Sequence, residues 1–373
     1  MISGLVKRHE SLILESIYRN IKRTGLYVLD PYELRDRVMQ QLQIPSNAKT
    51  TADMKRLFTI LEATWYIRFH SPAFGLDRLF FHIQLKSASS LQNLIDFQNT
   101  SNTVLNISDI YRIRGKLNTY IGVFYVPSQK FDLLITYINK LEKEGKIRTN
   151  SLEKIETRWF SISLHQYKSD LGWLDPTKTK LKQVAQTINS KASEKRKRKV
   201  DLLYIPPSFN TKWFFNEHPL PLKLIELYCK MPQTYSYSNL PLGSYANQQN
   251  KNLLKADIGL LKQLYYNRVL QIEFIPLGLV YDYSLDLYHI KIPRNDSLQL
   301  KPFLALIPYS EFIETEQNVQ IWARLSDTIR QWIEKDLMWQ VQPMIRDQYT
   351  RNLDMKWFNK KELQWITPKI LLS

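Results

Sequence analysis

Two short runs of the sequence are rich in long polar side chains that can hydrogen-bond to nucleic-acid bases. They are "NAKTTADMKR" (47–56) and "NQQNKNLLK" (247–255). Asn and Gln make paired hydrogen bonds to adenine, while Lys and Arg reach guanine or phosphate. The candidate DNA-binding residues are therefore Asn47, Lys49, Thr50, Thr51, Lys55 and Arg56 in the first run, and Asn247, Gln248, Gln249, Asn250, Lys251, Asn252 and Lys255 in the second. The alternative interpretation is a pair of solvated helix starts.

Further cations could hold the phosphate backbone. Arg68 and Arg78 border a predicted hairpin, and the run "KRKRK" contains Lys195, Arg196, Lys197 and Arg198. Contacts of this kind position a protein on a nucleic acid without reading its sequence. The alternative for the run is a flexible, solvated tether.

The overall charge favours the same kind of partner. Lys plus Arg total 52 against 35 for Asp plus Glu, a formal net charge of +17. Cations that neutralise phosphates release condensed counterions, so such a balance suits a polyanion. The alternative is a basic surface that serves solubility.

Several functional classes find no support in the motifs. The 373 residues include 10 glycines, without a glycine-rich phosphate-binding fingerprint, and one cysteine, Cys229. The six histidines lack metal-site spacing, and no catalytic set is suggested by spacing. We therefore expect no cofactor, no metal and no enzymatic activity. Charges throughout the first 25 residues argue against a signal peptide or membrane span, so we expect a cytoplasmic, nucleoid-associated protein.

The elements that would position these residues follow a repeated order. Helical spacing over 5–24, 31–43 and about 50–62, then the strand-like "WYIRFH" and "RLFFHIQL", predict a winged helix-turn-helix. Strand and helix patterns from 78 to 167 predict a β-α-β-β-α-β unit of the ferredoxin-like type. The second half repeats the order, and "FGLDRLFFHIQL" returns as "LGLVYDYSLDLYHIKI".

The predicted fold class is thus α+β, a duplicated winged helix-turn-helix plus ferredoxin-like domain. The predicted boundaries are 1–77 for the first winged helix, 78–167 for the first ferredoxin-like domain, 168–200 for a basic linker, 201–284 for the second winged helix, and 285–373 for the second ferredoxin-like domain with a C-terminal extension.

This order resembles the leucine-responsive (Lrp/AsnC) transcription regulators. "IPSNAKTTADMKRLFTILEA" is similar to their turn and recognition helix, and "YIGVFYVPSQKFDLLITYINKLEKEGKI" to the second half of their effector domain. The resemblance implies a sequence-specific regulator of archaeal type that binds double-stranded DNA. It also implies pairing of the effector sheets, in a homodimer or an intramolecular pseudo-dimer. Gly115 matches the family's effector turn, but the acidic residue is missing, so a small-molecule effector is not expected.

Three other functions remain open on the sequence. A plasmid- or virus-type replication initiator also pairs winged helices on DNA repeats. A protein-docking subunit of a nucleic-acid complex would use winged helices without base contacts. An RNA-binding protein would use exposed aromatic residues of a ferredoxin-like sheet.

Overall fold

The computed structural model describes the residues 12–16, 31–45, 48–86, 106–128, 130–168, 171–189, 234–236, 269–294, 300–347, 358–359 and 364–365. In the N-terminal part, residues 12–16 are helical, and they are followed by the helices α1 (Pro31–Leu42) and α2 (Ala48–Ile60) and the strand β1 (Ala63–Phe69). Met54, Leu57 and Phe58 of α2, at helical spacing, and Leu61 directly after the helix are buried.

Eight antiparallel strands form a closed barrel. They are β2 (Leu76–Leu85), β3 (Asn106–Ile113), β4 (Thr119–Pro127), β5 (Ile147–Ile162), β10 (Leu287–Pro293), β11 (Tyr309–Thr315), β12 (Asn318–Arg324) and β13 (Gln340–Asp347). The order around the barrel is β10-β12-β11-β5-β2-β4-β3-β13. The four strands from the first half of the chain lie side by side as β5-β2-β4-β3 and are called the first set. The four strands from the second half lie side by side as β13-β10-β12-β11 and are called the second set. Pairs β3–β13 and β5–β11 join the two sets.

Helices cover the outer face of each set of strands. Helix α3 (Phe131–Lys143) packs Leu134 and Ile138 against β2 and β4 in the first set. Gly145, with φ of +68°, follows its C-terminus in the left-handed conformation that glycine adopts without strain. On the second set lie α6 (Leu300–Leu304) and α7 (Asp327–Trp332), and the side chain of Ser326 caps α7 by accepting from the Ile329 N–H.

The opposite side chains of the strands point into the barrel, because successive strand residues alternate between faces. Leu79, Phe81 and Ile83 of β2 pack outward, so Phe80 and His82 face inward. In the second set, His289 and Trp322 lie inward and are 3% and 1% exposed. The interior is therefore filled by a mixture of aromatic and polar groups.

The segment between the two sets is partly folded onto the second one. Strands β6 (Tyr167–Lys168) and β7 (Gly172–Trp173) form a short hairpin, and helix α4 spans Lys178–Asn189. Leu181, Val184 and Ile188 of α4 pack into the hydrophobic core between the second set of strands and its helices. These apolar residues therefore anchor α4 to the second set, although α4 lies within the region 168–200 that the sequence predicts to be a linker. The domain boundaries themselves stay predictions.

A second sheet forms between the two halves instead of the predicted wings. Strand β1 pairs over its full length with β9 (Leu270–Pro276), and also with β8 (Thr234–Ser236). Strand β2, its predicted hairpin partner, belongs to the barrel, and a short 3₁₀ turn (Ser71–Phe74) separates the two. The winged helix is therefore not confirmed. The fold that is shown is a mixed helix and strand structure built on the closed barrel.

Helix α5 (Leu277–Tyr283) follows β9 and leads into β10, and two-residue strands β14 (Phe358–Asn359) and β15 (Gln364–Trp365) pair near the C-terminus. Across the described ranges, none of the helices is long and apolar enough to span a bilayer.

Candidate ligand-binding site

A pocket of about 350 Å³ opens at one end of the barrel, where β10 begins and β12 and β13 end. Helix α5 and the residues that follow it form one wall, and the end of β3 forms another. The lining residues are Tyr111, Arg114, Val280, Tyr281, Leu285, Asp286, Leu287, Tyr309, Glu311, Trp322, Arg324, Met344, Ile345 and Arg346. The lining thus combines apolar and aromatic walls with three arginines.

A buried ion pair lies at the inner end of the pocket. Glu311 of β11 accepts a hydrogen bond from Nε of Arg158 on β5, and the two side chains are 4% and 1% exposed. The Arg158 guanidinium also lies 5.3 Å from the ring centroid of Trp322, within cation–π range. Because a buried charge is costly without a partner, this pair ties the two sets of strands together at their β5–β11 junction.

Aromatic rings form a wall above this ion pair. The rings of Tyr111 on β3 and Trp322 on β12 are 4.6 Å apart between centroids and inclined by 57°. Tyr111 comes from the first half of the chain and Trp322 from the second. The pocket therefore requires both halves.

The mouth of the pocket carries positive charge. Arg346, at the end of β13, is exposed, and its neighbour Ile345 is 38% exposed. Arg114, in the turn after β3, forms an ion pair with Asp286 at 3.3 Å. With Arg324 there are three cations against the Asp286 carboxylate, since Glu311 is paired with Arg158.

Arg324 holds the segment that borders the pocket. Its Nη1 donates to the carbonyl oxygens of Ser284 and Leu285 at 2.9 and 2.6 Å. Its guanidinium carbon lies 4.5 Å from the ring centroid of Tyr281. Leu285 itself is 80% exposed, so this segment is positioned by polar contacts and not by burial.

The first half of the chain places apolar residues at the matching positions. Leu287 pairs across the strands with Arg324, and the corresponding pair in the first set is Phe80 with Val123. Trp322, opposite His289, likewise corresponds to Ile121, opposite His82. Phe80, Val123 and Ile121 are all fully buried. The positions of β10 and β12 that line the pocket therefore have apolar counterparts on β2 and β4.

Two histidines lie deeper in the barrel interior. Burial lowers the pKa of His289 to about 4, although its Nε2 lies 2.8 Å from Oε1 of Gln320. Burial also lowers the pKa of His82 to about 4, with further contributions from His289 and two nearby lysines. Both rings are therefore neutral at physiological pH.

The DNA-binding candidates of the first half lie away from this pocket. On α2, Lys49 is exposed and Lys55 and Arg56 are half-buried; Thr50 and Thr51 belong to the same helix, and Arg68 to β1. Arg78 is 2% exposed inside the barrel, where its Nη2 donates to the Glu156 carbonyl at 3.4 Å. A phosphate contact by Arg78 is therefore excluded, because the side chain does not reach the surface.

The remaining candidates fall outside the described residues. They are Asn47, Lys195, Arg196, Lys197, Arg198, Asn247, Gln248, Gln249, Asn250, Lys251, Asn252 and Lys255. Most of the predicted second winged helix, 201–284, also lies outside the described residues, apart from β8, β9 and α5, so these assignments stay untested.

The pocket residues were not predicted from the sequence. Strand alternation places Gln320, Trp322 and Arg324 on one face of β12, which is a signal that the sequence contains. The sequence alone does not show that this face lines a barrel. It also does not show that Arg114 and Tyr111 come from another part of the chain to meet it.

Comparison with known proteins found no matching family model and no matching curated protein. Two solved structures match the chain at 13% identity, both of the siroheme decarboxylase NirDL. The first has a TM-score of 0.39 and covers 94% of this chain and 98% of the other. The second, a complex with an iron-uroporphyrin III analogue, has a TM-score of 0.36 and covers 88% and 92%.

The interpretation as an Lrp/AsnC-like, sequence-specific DNA-binding transcription regulator is therefore wrong. No family model or curated protein supports it, and the solved structures that match belong to an enzyme. The similarity in "YIGVFYVPSQKFDLLITYINKLEKEGKI" rested on apolar spacing. That spacing is common to any strand followed by a helix that packs on a sheet.

Proposed function

We propose that the chain binds a small carboxylate with an aromatic or apolar body in the pocket at the end of the barrel. The observation that carries this proposal is the union of an apolar, aromatic wall with three arginines at a single opening. Arginine recognises carboxylates through paired N–H donors, and ligand sites are typically apolar with a few placed polar groups.

The size of the pocket limits the ligand. A volume of about 350 Å³ lies at the lower end of the range for small-molecule sites. The rings of Tyr111 and Trp322 contact each other and together offer an aromatic surface to the pocket, which favours an aromatic ligand because aromatic groups pack edge to face or stacked on one another. A monocyclic or bicyclic aromatic acid meets both conditions.

The charges of the lining favour an anion over a cation. The lining contains three arginines, Arg114, Arg324 and Arg346, against the Asp286 carboxylate, since Glu311 is paired with the buried Arg158. A ligand carboxylate at the mouth would be attracted by this excess of guanidinium groups. A cationic ligand would instead be repelled.

We propose binding without a catalysed reaction. Within the described lining there is no histidine, cysteine or lysine, and its two carboxylates are each paired with an arginine. Side chains of these types most often supply general bases and nucleophiles. A catalysed reaction would therefore need groups that the ligand or a partner brings.

We further infer that the barrel arose by internal duplication of a ferredoxin-like unit. In each set the strand order, numbered along the chain within the set, is 4-1-3-2, and the second strand of each set pairs with the fourth strand of the other. The matched positions of His82 and His289 support the same inference. A pocket at the junction of two such units requires no second chain.

Isothermal titration calorimetry with 1-naphthoate tests the binding proposal. The neutral 1-naphthalenemethanol serves as the ligand control. We expect the acid to bind at least tenfold more tightly than the alcohol, because a charge-assisted hydrogen bond contributes about 1.5–3 kcal/mol. Arg346→Gln should reduce this preference, because it removes one of the three guanidinium groups at the mouth. Arg148→Gln is the matched control, since Arg148 is an exposed arginine outside the pocket lining.

Equal binding of acid and alcohol would contradict the proposal, and so would equal effects of the two arginine substitutions. An iron-uroporphyrin III analogue, present in one of the matched crystal structures, belongs in the ligand panel as a much larger carboxylate. Tighter binding of that compound than of 1-naphthoate would overturn the assignment to a small ligand.

A further inference from the structure

The segment 284–286 occupies two of the three arginines at the mouth of the pocket. Arg324 donates to the carbonyl oxygens of Ser284 and Leu285, and Arg114 pairs with the Asp286 carboxylate. In each of these three contacts, the segment contributes an oxygen atom that carries a full or partial negative charge. A carboxylate ligand would present the same kind of atom to the same two guanidinium groups.

We propose that Asp286 and its two preceding residues form an internal latch that competes with the ligand for Arg114 and Arg324. The latch rests on the proposed carboxylate site, and it adds a regulatory element to that site. When a ligand carboxylate binds, Asp286 loses Arg114 and the segment moves away from the mouth. When the ligand leaves, the segment returns.

The latch is held by contacts that are readily exchanged. Both side chains of the Arg114–Asp286 pair are about half exposed, at 55% and 50%. Leu285, between the two contacts, is 80% exposed and buries almost nothing. Exposed ion pairs contribute little net free energy, so a second anion at the mouth can replace one.

The residues before the latch are anchored, which confines the movement to a short stretch. Nε1 of Trp173 donates to the Leu279 carbonyl at 2.7 Å, and the Tyr283 hydroxyl accepts from the Ser326 N–H at 3.1 Å. On the other side, Leu287 begins the paired strand β10. Helix α5 and β10 therefore stay in place while residues 284–286 exchange partners.

Titration of the full chain with 1-naphthoate tests the latch through the variant Asp286→Asn. We expect this variant to bind about two- to fivefold more tightly than the wild type, as the range for an exposed ion pair implies. Asp336→Asn removes the same charge from an exposed position outside the pocket and should leave the affinity unchanged. Asp286→Glu keeps the competing carboxylate and should bind as the wild type does.

Hydrogen exchange provides a second measurement of the same movement. The Asp286 amide donates to the Ser284 hydroxyl at 3.2 Å, and its exchange should accelerate when 1-naphthoate saturates the site. Unchanged or weaker affinity in Asp286→Asn, or equal gains in Asp286→Asn and Asp336→Asn, would overturn the latch. Absence of binding in all variants would instead refute the proposed carboxylate site.

Discussion

His82 and His289 meet inside the barrel, with ring centroids 6.3 Å apart and ring planes nearly perpendicular at 85°. One histidine comes from β2 and the other from β10, the first strand of each set. Phe80, two residues before His82, stacks on His289 at 6.0 Å. The two similar stretches, 74–85 and 277–292, thus each contribute a histidine to the barrel centre.

This meeting has a consequence for stability at acid pH. Burial holds the pKa of His289 at about 4 in the folded state, below the 6.5 of an unperturbed histidine. Between pH 6.5 and 4 the unfolded chain binds a proton at this residue that the folded chain does not, so stability is present above pH 6.5 and falls as the pH is lowered. The contribution of His289 is at most about 3 kcal/mol.

Urea unfolding at pH 7 and pH 4.5 checks this expectation with the variant His289→Gln. The variant should lose less stability between the two pH values than the wild type does, because it no longer titrates. His165→Gln, at an exposed histidine, is the control and should keep the wild-type pH dependence. An unchanged pH dependence in His289→Gln would refute the assignment.

The stoichiometry of ligand binding should be one per chain. Positions of the first set that match the pocket hold Phe80, Val123 and Ile121, which are buried and leave no arginine at the matching place. Calorimetry with 1-naphthoate should therefore give a single site. Two equivalent sites per chain would show that both halves bind.

The substitution Leu287→Phe should close the pocket. It introduces into the second set the aromatic residue that Phe80 provides in the first, and the larger ring would occupy space between β10 and β12. We expect the affinity for 1-naphthoate to fall more than tenfold, about 1.4 kcal/mol or more. The same change at the exposed turn residue, Leu117→Phe, should have no effect, and a matching loss there would contradict the explanation.

The ion pair of Arg158 and Glu311 should be sensitive to the loss of one partner. Glu311→Gln leaves the Arg158 guanidinium buried without its counter-charge, so we expect a loss of about 3 kcal/mol in the free energy of unfolding. The exposed pair of Arg330 and Glu334 offers a control, because Glu334→Gln should cost less than about 0.5 kcal/mol. Chemical denaturation measures both, and similar losses would contradict the role of burial.

Met338 should be replaceable by glycine with a gain in stability. Its backbone has φ of +55°, a conformation unfavourable for side chains with a Cβ, and its side chain is 85% exposed. Met338→Gly should therefore stabilise the fold by about 1 kcal/mol, measured by thermal unfolding. The reverse change Gly145→Ala, at φ of +68°, should destabilise it by a similar amount, and a loss of stability in Met338→Gly would refute the strain.

Local elements were largely predictable from the sequence. The segment from Pro127 to Gly145 predicts a helix, and α3 spans Phe131–Lys143, with Gly145 beyond its end in the left-handed conformation. The polar run "ETEQN" (314–318) between two apolar stretches is typical of a hairpin turn, and Glu316 and Gln317 connect β11 to β12. These elements depend on contacts and turn residues that are close in sequence.

The partners of the strands were less predictable. The sequence places β1 beside β2 in a wing, yet β1 pairs with β9 across the chain. Likewise, the basic composition of α4 predicts a linker, yet three of its apolar residues pack into the hydrophobic core of the second set. Pairing and docking between distant segments depend on which apolar faces meet, and composition does not specify this.

By itself, then, the sequence determined a strongly basic chain and the local strand and helix patterns of the two sets. Only the tertiary structure decided that the two sets close into one barrel, that the face of β12 with Trp322 and Arg324 points inward, and that Tyr111 and Arg114 complete a pocket there. The physical reason is that a ligand site needs side chains from several strands at one place. Their meeting depends on strand register and barrel closure, which are long-range properties of the fold.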